Sequence, residues 1–211
     1  MSTQPKQHYT LEEYFALELA SDEKYEFWNG EVFCMSGASL AHNQIARNLG
    51  TQLDTQLRKH GCQSFPSDLR IKVPAYPPYR YPDLTALCGT PEIEKLGGLD
   101  TLVNPSLIIE VLSPSTEAFD RGDKFTYYKS INSFSEYLLI AQHRPHVSQF
   151  VRRENGVWTY REFNDPIDQV QCESVPCVLA LSEVYRDVTF ESAAQDEEQS
   201  KDESLAHERL Q

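Results

Sequence analysis

The chain has 211 residues, 40 % of them hydrophobic and 24 % charged, and a formal net charge of −13 at pH 7. This length suits one domain with a sizeable core, and the charge excludes a protein that binds DNA through bulk electrostatic attraction. No apolar run is long enough to cross a membrane. The N-terminus lacks a secretory pattern, so we expect a cytoplasmic protein.

Two short elements are predicted near the N-terminus, after a flexible segment of residues 1–8. Thr10 followed by Glu13 is the capping-box pattern that begins a helix. The dipeptide Asn29-Gly30 lies between two β-prone runs and is the strongest short turn signal. The sequence therefore predicts a helix followed by a β-hairpin.

A longer helix and a half-buried strand come next. Apolar residues recur every four positions from Ile45 to Leu57, which marks one helical face. Ser39 is the expected cap of this helix and Gly61 its end. In SDLRIKVP, residues 67–74, apolar and charged residues alternate as in a strand with one buried face.

The middle of the chain predicts two strands separated by irregular structure. PDLTALC forms a strand with Asp83 at its very start. SLIIEVLS, residues 106–113, is short, almost continuously apolar and bounded by prolines, which is typical of a central strand covered on both faces. We expect residues 89–105 between them to form a loop, or a short helix and turn.

The C-terminal part predicts a helix and three more strands. DKFTYYKSINSF, residues 123–134, fits a helix with Lys124 in its first turn, and one of Tyr127 and Tyr128 is expected in the core. EYLLIAQ, HVSQFVRR and GVWTYREF fit antiparallel strands joined by tight turns. Strands and helices mixed in this way predict an α/β domain with a mixed sheet.

The domain is expected to span residues 9–190 and to be followed by an acidic tail. Residues 191–211 carry seven acids and two bases, so we expect them to be disordered or loosely helical. The five cysteines show no metal-binding spacing, because Cys172 and Cys177 have no second pair or nearby histidines. We therefore expect core thiols in a reducing compartment.

Three residues stand out as candidates for chemistry: Asp83, Glu110 and Lys124. Glu110 interrupts the apolar run LIIEVL, where an exposed position is hard to accommodate. Burying a carboxylate unpaired costs several kcal/mol, so Glu110 needs a cation, a proton or a strong donor. Taken singly, Asp83 is also explained as a turn-capping residue, and Lys124 as a solvated helix residue.

Six segments, in this order, resemble the Uma-two family of restriction endonuclease-like proteins: YEFWNGEVF, AHNQIARNL, YPDLTAL, PSLIIEVLSPST, DRGDKFTYY and EYLLI. This family belongs to the PD-(D/E)XK nuclease superfamily. The resemblance runs from about Tyr9 to about Tyr185 and is most specific in EVLSPST and DRGDK. It implies a restriction endonuclease-like α/β core, a mixed sheet flanked by helices, with the active site on two central strands.

The resemblance also implies residue roles. The family's Pro-Asp corresponds to Pro82-Asp83, and its second acid corresponds to Glu110. The usual superfamily lysine lies two residues after that acid, but Leu112 occupies this position here. Lys124, from the following helix, is therefore expected to supply the ammonium group.

The implied activity is that of a metal-dependent endonuclease that hydrolyses DNA phosphodiester bonds. Asp83, Glu110 and the backbone carbonyl of Val111 are expected to hold Mg²⁺, with Mn²⁺ as a substitute. The metal lowers the pKa of a bound water and stabilises charge on the phosphate. Lys124 would orient that water or neutralise the phosphate.

Glu26, His42 and Asp68 are further candidates for the site. Glu26 flanks the hairpin turn and could reach the metal or be a surface charge. His42 could contact substrate or a carboxylate, or satisfy the helix N-terminus. Asp68, with Arg70 on the same strand face, could line the cleft or form an exposed pair.

Two other functions stay open beside a nuclease. A catalytically silent nuclease-fold module for binding or regulation is favoured by the negative charge and by the lack of a target-recognition domain. A hydrolase of a smaller phosphate ester is the third. DNA is the expected partner, and a homodimer is left open because nucleases that cut both strands often pair.

Overall fold

The computed structural model describes residues 8–21, 23–28, 30–35, 37–75, 79–96 and 98–190. The predicted flexible start up to residue 7, the turn residue Asn29 and the acidic tail from residue 191 lie outside the described residues. The domain boundaries therefore stay predictions. Within the described ranges, the chain contains no helix that is both long and apolar enough to cross a membrane.

The helices are short apart from one long helix near the N-terminus. Their bounds are α1 Leu11–Ala20, α2 Leu40–Leu57, α3 Glu117–Phe119, α4 Phe125–Tyr128 and α5 Leu181–Val184, with a 3-10 turn at Arg58–His60 and a π-helical turn at Asp120–Lys124. The capping box of Thr10 and Glu13 is confirmed, with both reciprocal hydrogen bonds present. The predicted α2 is confirmed too, from its Ser39 cap to the left-handed Gly61 beyond its end.

The strands form one large sheet, one smaller sheet and two hairpins. Their bounds are β1 Tyr25–Trp28, β2 Glu31–Cys34, β3 Cys62–Pro66, β4 Arg70–Lys72, β5 Tyr79–Arg80, β6 Leu84–Cys88, β7 Ile93–Leu96, β8 Leu99–Leu102, β9 Leu107–Leu112, β10 Glu136–Ala141, β11 Val147–Arg152, β12 Trp158–Phe163, β13 Gln169–Gln171 and β14 Val178–Ala180. The main sheet has six strands in the order β12-β11-β10-β9-β6-β3, and β5-β4-β8-β7 form the smaller one. β1–β2 and β13–β14 pair as separate hairpins.

β9 lies inside the main sheet, as its apolar sequence predicts. It pairs in parallel with β10 on one side and antiparallel with β6 on the other. Its alternate residues Leu107, Ile109 and Val111 pack in the same hydrophobic cluster as α2. Ile108 and Leu112 face the opposite cluster, which contains residues of α4. All six residues of β9 are buried.

A helical crossover joins the two parallel strands. Parallel neighbours need a crossover connection, and here α3, the π-helical turn and α4 supply it without interruption; we call residues 117–128 the crossover helix. The sequence predicted a helix that begins near residue 123. The structure corrects this, because the helix begins at Glu117 and Lys124 closes the π-helical turn rather than opening a first turn.

Residues 89–105 are a second correction. They form the antiparallel β7–β8 pair rather than a loop or helix. Gly98 lies between the two strands and has a φ of 83°, which residues with a side chain rarely adopt. Glycine at this position therefore permits the tight turn that joins them. β8 then pairs in parallel with β4, which joins this strand pair to the smaller sheet.

The cysteine prediction is wrong in two respects. Cys62 and Cys88 stand directly opposite each other on β3 and β6, and their sulfurs are joined in a disulfide. Cys34 is exposed rather than in the core. Cys172 and Cys177 are buried free thiols, as expected. Strand register, which cysteine spacing does not reveal, decides the pairing.

Candidate active site

Asp83 lies where the ladder between β6 and β9 ends. The last paired residues are Leu84 and Ile109. Pro82 has no N–H group and cannot extend the ladder, and the Asp83 side chain takes over instead. The Val111 N–H donates to Asp83 Oδ2 at 2.6 Å. The two central strands therefore bring Asp83 and β9 together, as the sequence predicted.

Glu110 is buried, and its Oε1 atom receives two donors from the crossover helix. The Lys124 ammonium group lies 2.8 Å from Oε1, and the Tyr128 hydroxyl donates to it at 2.7 Å. Lys124 also lies 3.1 Å from Asp120 Oδ1. Glu110, Lys124, Asp120 and Tyr128 thus form a buried polar cluster on one face of the main sheet.

Asp120 is the member of this cluster that the sequence analysis did not single out. A signal was available, because Asp120, Lys124 and Tyr128 recur every four residues and so share one helical face. The π-helical turn lies at this point, and such turns are frequent at functional sites. The Asp120 carbonyl accepts a hydrogen bond from the Tyr137 hydroxyl at 3.1 Å, which ties the turn to β10.

The electrostatics of the cluster are dominated by burial and by excess negative charge. The pKa of the Glu110 carboxyl is raised to about 8, because burial and the charges of Asp120 and Asp83 outweigh the opposing Lys124 ammonium group. Burial lowers the pKa of Lys124, but the carboxylates of Glu110 and Asp120 outweigh it and leave that pKa well above its usual value. Burial and the neighbouring Glu110 likewise raise the pKa of Tyr128.

His42 contacts Asp83 from α2, which packs on the other face of the sheet. Its Nε2 atom lies 3.1 Å from Asp83 Oδ1, so of its two interpretations the contact with a carboxylate is the one observed. The helix N-terminus is capped by Ser39, whose Oγ accepts the His42 backbone N–H and donates to Gln142 Oε1 at 2.6 Å. Burial lowers the pKa of His42, but Asp83, Asp120 and the Val111 carbonyl raise it overall.

The structure brings Glu26 to the cluster but not Asp68. Glu26 Oε1 accepts the Tyr81 N–H at 3.3 Å, and the Glu26 charge contributes to the raised pKa of Lys124. The Asp68 side chain is 79 % exposed and pairs with Lys24, not with Arg70. Arg70 is buried, so the alternative of an exposed Asp68–Arg70 pair is not observed.

Oxygen donors at the site fit a hard divalent cation. Lys124 and Tyr128 both contact Glu110 Oε1, so Oε2 receives no hydrogen bond within the described ranges. Asp120 Oδ1 is buried and has no hydrogen-bond donor in suitable geometry among those residues. In a strand the N–H and C=O of one residue point to the same side, so the Val111 carbonyl faces the Asp83 side.

Carboxylates alone do not complete a coordination shell here. No three His, Cys, Asp or Glu side chains of the described chain converge closely enough to hold a metal. Mg²⁺ commonly binds through only one or two carboxylates and keeps water and phosphate oxygens as its other ligands. Asp83, Glu110 and the Val111 carbonyl are consistent with that kind of site.

Comparisons with known proteins agree with this fold. The chain belongs to the Uma2 family, described as "Putative restriction endonuclease", whose model matches residues 11–183. Two uncharacterised proteins of Synechocystis sp. are similar: slr1290 is 31 % identical over 85 % of this chain and 92 % of its own length. The other, sll1609, is 34 % identical over 72 % of this chain and 86 % of its own length.

A solved structure shares the fold at low sequence identity. It is the crystal structure of a "putative nuclease belonging to DUF820" from Anabaena variabilis, with a TM-score of 0.64 and 15 % identity over 82 % of this chain and 97 % of that chain. The chain therefore has a restriction endonuclease-like α/β fold and belongs to a family described as "Putative restriction endonuclease".

Proposed function

We propose that this protein is a metal-dependent endonuclease that hydrolyses DNA phosphodiester bonds. The observation that carries the proposal is the excess of carboxyl groups over ammonium groups around Lys124. The charges of Asp120 and Asp83 raise the pKa of Glu110. The single ammonium group of Lys124 contacts Glu110 and Asp120. Such an excess is expected where a cation or a phosphate-bound cation belongs.

Asp83, Glu110 and the Val111 carbonyl would hold Mg²⁺, which when bound supplies a more acidic water and stabilises charge on the phosphate. The protein's own residues do the positioning. The Val111 N–H and His42 fix the Asp83 carboxylate from two directions. Tyr128 holds Glu110 from the crossover helix. Such supporting contacts orient the side chains that bind a metal, and metal affinity depends strongly on them.

Lys124 would act on the substrate rather than on the fold alone. Its ammonium group remains protonated at neutral pH, because Glu110 and Asp120 raise its pKa. A compact cation on a flexible stem can move from a carboxylate to a phosphate oxygen or a water. Lys124 would therefore offset charge that develops on the phosphate and orient the attacking water.

The alternative of a silent binding module has one observation in its favour. Lys124 already neutralises Glu110 through a direct 2.8 Å contact, as in a purely structural ion pair. A module of this kind would still have two buried carboxyl groups, those of Glu110 and Asp120, sharing the single ammonium group of Lys124. For this reason we favour the nuclease.

Cleavage of supercoiled plasmid in Mg²⁺ and in Mn²⁺ tests the proposal. Asp83→Ala and Lys124→Ala should lose nicking and linearisation, while Glu94→Gln, which removes a carboxylate paired with Lys72 on the smaller sheet, should keep it. Loss in Asp83→Ala alone would remove Lys124 from the mechanism. Absence of cleavage in every preparation, with no binding of Mg²⁺ by calorimetry, would favour the binding module.

A further inference from the structure

A second polar cluster lies on the same face of the main sheet as Glu110. Leu139 of β10 pairs with Glu110 on one side and with Ser148 of β11 on the other. Residues paired in register share one face of a sheet. Adjacent strands are about 4.8 Å apart, so Ser148 lies roughly 10 Å from Glu110 along this row. The crossover helix lies over both positions.

Arg121 contacts the second cluster from that helix. Lys124 reaches Glu110, and Arg121, three residues earlier, donates from Nη1 to Ser148 Oγ at 3.2 Å. Its Nε donates to Glu117 at 2.8 Å, and the side chain is 33 % exposed. A guanidinium group has five N–H donors. Within the described ranges, the Nη2 group makes no hydrogen bond, so it is available to a ligand.

A buried relay holds Arg121 in this position. Ser148 and His146 are 0 % and 4 % exposed. His146 Nδ1 lies 2.6 Å from Asn164 Oδ1, which can only accept, so Nδ1 carries the proton. His146 Nε2 is then an acceptor for the Ser148 hydroxyl at 3.1 Å, and Ser148 Oγ is left to accept from Arg121. Every donor in this chain has one acceptor.

Such a relay is more than a surface ion pair requires. A half-buried i,i+4 pair at the surface, such as Arg121–Glu117, contributes little to stability. Burying the Ser148 and His146 side chains behind it is justified only if the direction of the guanidinium group matters. Fixed guanidinium groups recognise phosphates through paired N–H donors, and fixing them beforehand lowers the cost of binding.

We propose that Arg121 binds a phosphate of the substrate strand one to three nucleotides from the bond that is cleaved. This inference rests on the proposed nuclease function and specifies its substrate as a polynucleotide rather than a small phosphate ester. Phosphates on one strand repeat about every 3.4 Å along the helix axis and lie farther apart along the strand itself, so roughly 10 Å spans one to three of them. Asn164, His146 and Ser148 are positioning residues for Arg121.

The test compares a substrate that has neighbouring phosphates with one that has none. Arg121→Gln is compared with Arg161→Gln, which removes the same charge from a 59 % exposed arginine on β12. Arg161 pairs in register with Gln149, one residue from Ser148, and so lies on the opposite face of the sheet. Hydrolysis is followed on a DNA oligonucleotide and on bis(p-nitrophenyl) phosphate in Mn²⁺, and oligonucleotide binding by fluorescence anisotropy in Ca²⁺.

Arg121→Gln should lower kcat/KM and affinity for the oligonucleotide by about 10- to 100-fold, as loss of a charge-assisted hydrogen bond implies. The slope of log affinity against log salt should fall by about 1. Hydrolysis of bis(p-nitrophenyl) phosphate should not change, and Arg161→Gln should match the wild type. Equal losses on both substrates, or no difference between the two arginine variants, would overturn the phosphate site.

Failure of the nuclease proposal gives a different result. A wild type that hydrolyses neither substrate but binds the oligonucleotide through Arg121 would refute the nuclease and leave the phosphate site standing. A wild type that neither binds nor hydrolyses would refute both.

The relay is tested by Ser148→Ala against Tyr160→Phe. Tyr160 has a hydroxyl 3.5 Å from Ser148 Oγ but lies outside the chain from Asn164 to Arg121. Ser148→Ala should raise KM for the oligonucleotide severalfold with kcat on bis(p-nitrophenyl) phosphate retained, and Tyr160→Phe should leave both unchanged. A loss of kcat on both substrates in Ser148→Ala would mean that the relay only supports the fold.

Discussion

Two buried ion pairs in this protein differ in whether their charges are balanced by the groups around them. Glu18 of α1 and Arg70 of β4 form a 2.7 Å pair whose side chains are 2 % and 1 % exposed. Glu18 also accepts hydrogen bonds from the Tyr25 N–H and the Tyr81 hydroxyl. Arg70 donates to Thr101 as well. Here one anion meets one cation, and the surrounding donors complete the pair.

The Glu110–Lys124 pair is also buried, but carboxyl groups outnumber ammonium groups around it. Asp120 and Asp83 add negative charge around it, and the pKa of Glu110 is raised to about 8. A balanced buried pair is a structural device, whereas a buried pair with surplus carboxylates is where a cation is expected. The two regions therefore predict opposite responses to the same kind of substitution.

The largest expected difference is in stability. Glu18→Gln removes the carboxylate from a buried guanidinium group and should lower the free energy of unfolding by about 3–5 kcal/mol. Glu110→Gln should not lower it at pH 8, because a neutral amide replaces a costly buried carboxylate and Lys124 keeps Asp120 as its partner. Urea denaturation without metal measures both. Equal losses would mean that the Glu110 pair is structural too.

A pH titration of stability is the next prediction. The folded-state pKa of Glu110, about 8, exceeds its ordinary value of 4.5, so the folded protein binds this proton more tightly than the unfolded chain. Stability of the metal-free protein should therefore fall as pH rises from about 4.5 to about 8, by roughly 4 kcal/mol. In Glu110→Gln this component should vanish. A profile that is unchanged in the variant would contradict the assignment.

Divalent cations should stabilise the protein through the Glu110 region and not through the Glu18–Arg70 region. A ligand that binds only the folded state stabilises it by about 2.7 kcal/mol at 100 times its Kd. Mg²⁺ should accordingly raise the thermal unfolding midpoint of the wild type and of Glu18→Gln, but not that of Glu110→Gln. Scanning fluorimetry with and without EDTA measures the shift. The same shift in Glu110→Gln would place the cation elsewhere.

The smallest expected effect concerns His42, which orients Asp83 from α2. His42→Ala should weaken Mg²⁺ binding by about tenfold, as loss of a supporting contact to a metal ligand does. His42→Asn, which keeps an N–H donor, should recover part of it. His60→Ala, at an exposed histidine of the 3-10 turn, is the control. Isothermal calorimetry that finds equal Kd values for His42→Ala and the wild type would exclude this role.

The candidate site was predicted in part. Asp83, Glu110 and Lys124 do meet, and His42 and Glu26 join them. Asp120 was missed because an acidic residue in a turn-rich segment has many solvated interpretations. Of the two positions left open for Asp68, the exposed one is observed, because strand alternation shows which residues share a face but not which face is covered.

The sequence by itself determined the elements whose signals are local. The capping box at Thr10, the helical face of α2, and the apolar run around Glu110 each depend on neighbours within a few residues. The same run also showed that Glu110 needs a partner, because burial of a carboxylate is costly wherever the strand lies.

Only the tertiary structure decided which residues provide the partners. The β7–β8 pair, the Cys62–Cys88 disulfide, the Glu18–Arg70 pair and the relay from Asn164 to Arg121 all depend on how strands and helices are placed against one another. Strand register fixes these contacts, and a shift of one residue would turn each side chain to the other face. Register depends on the packing of the whole sheet, so no local pattern contains it.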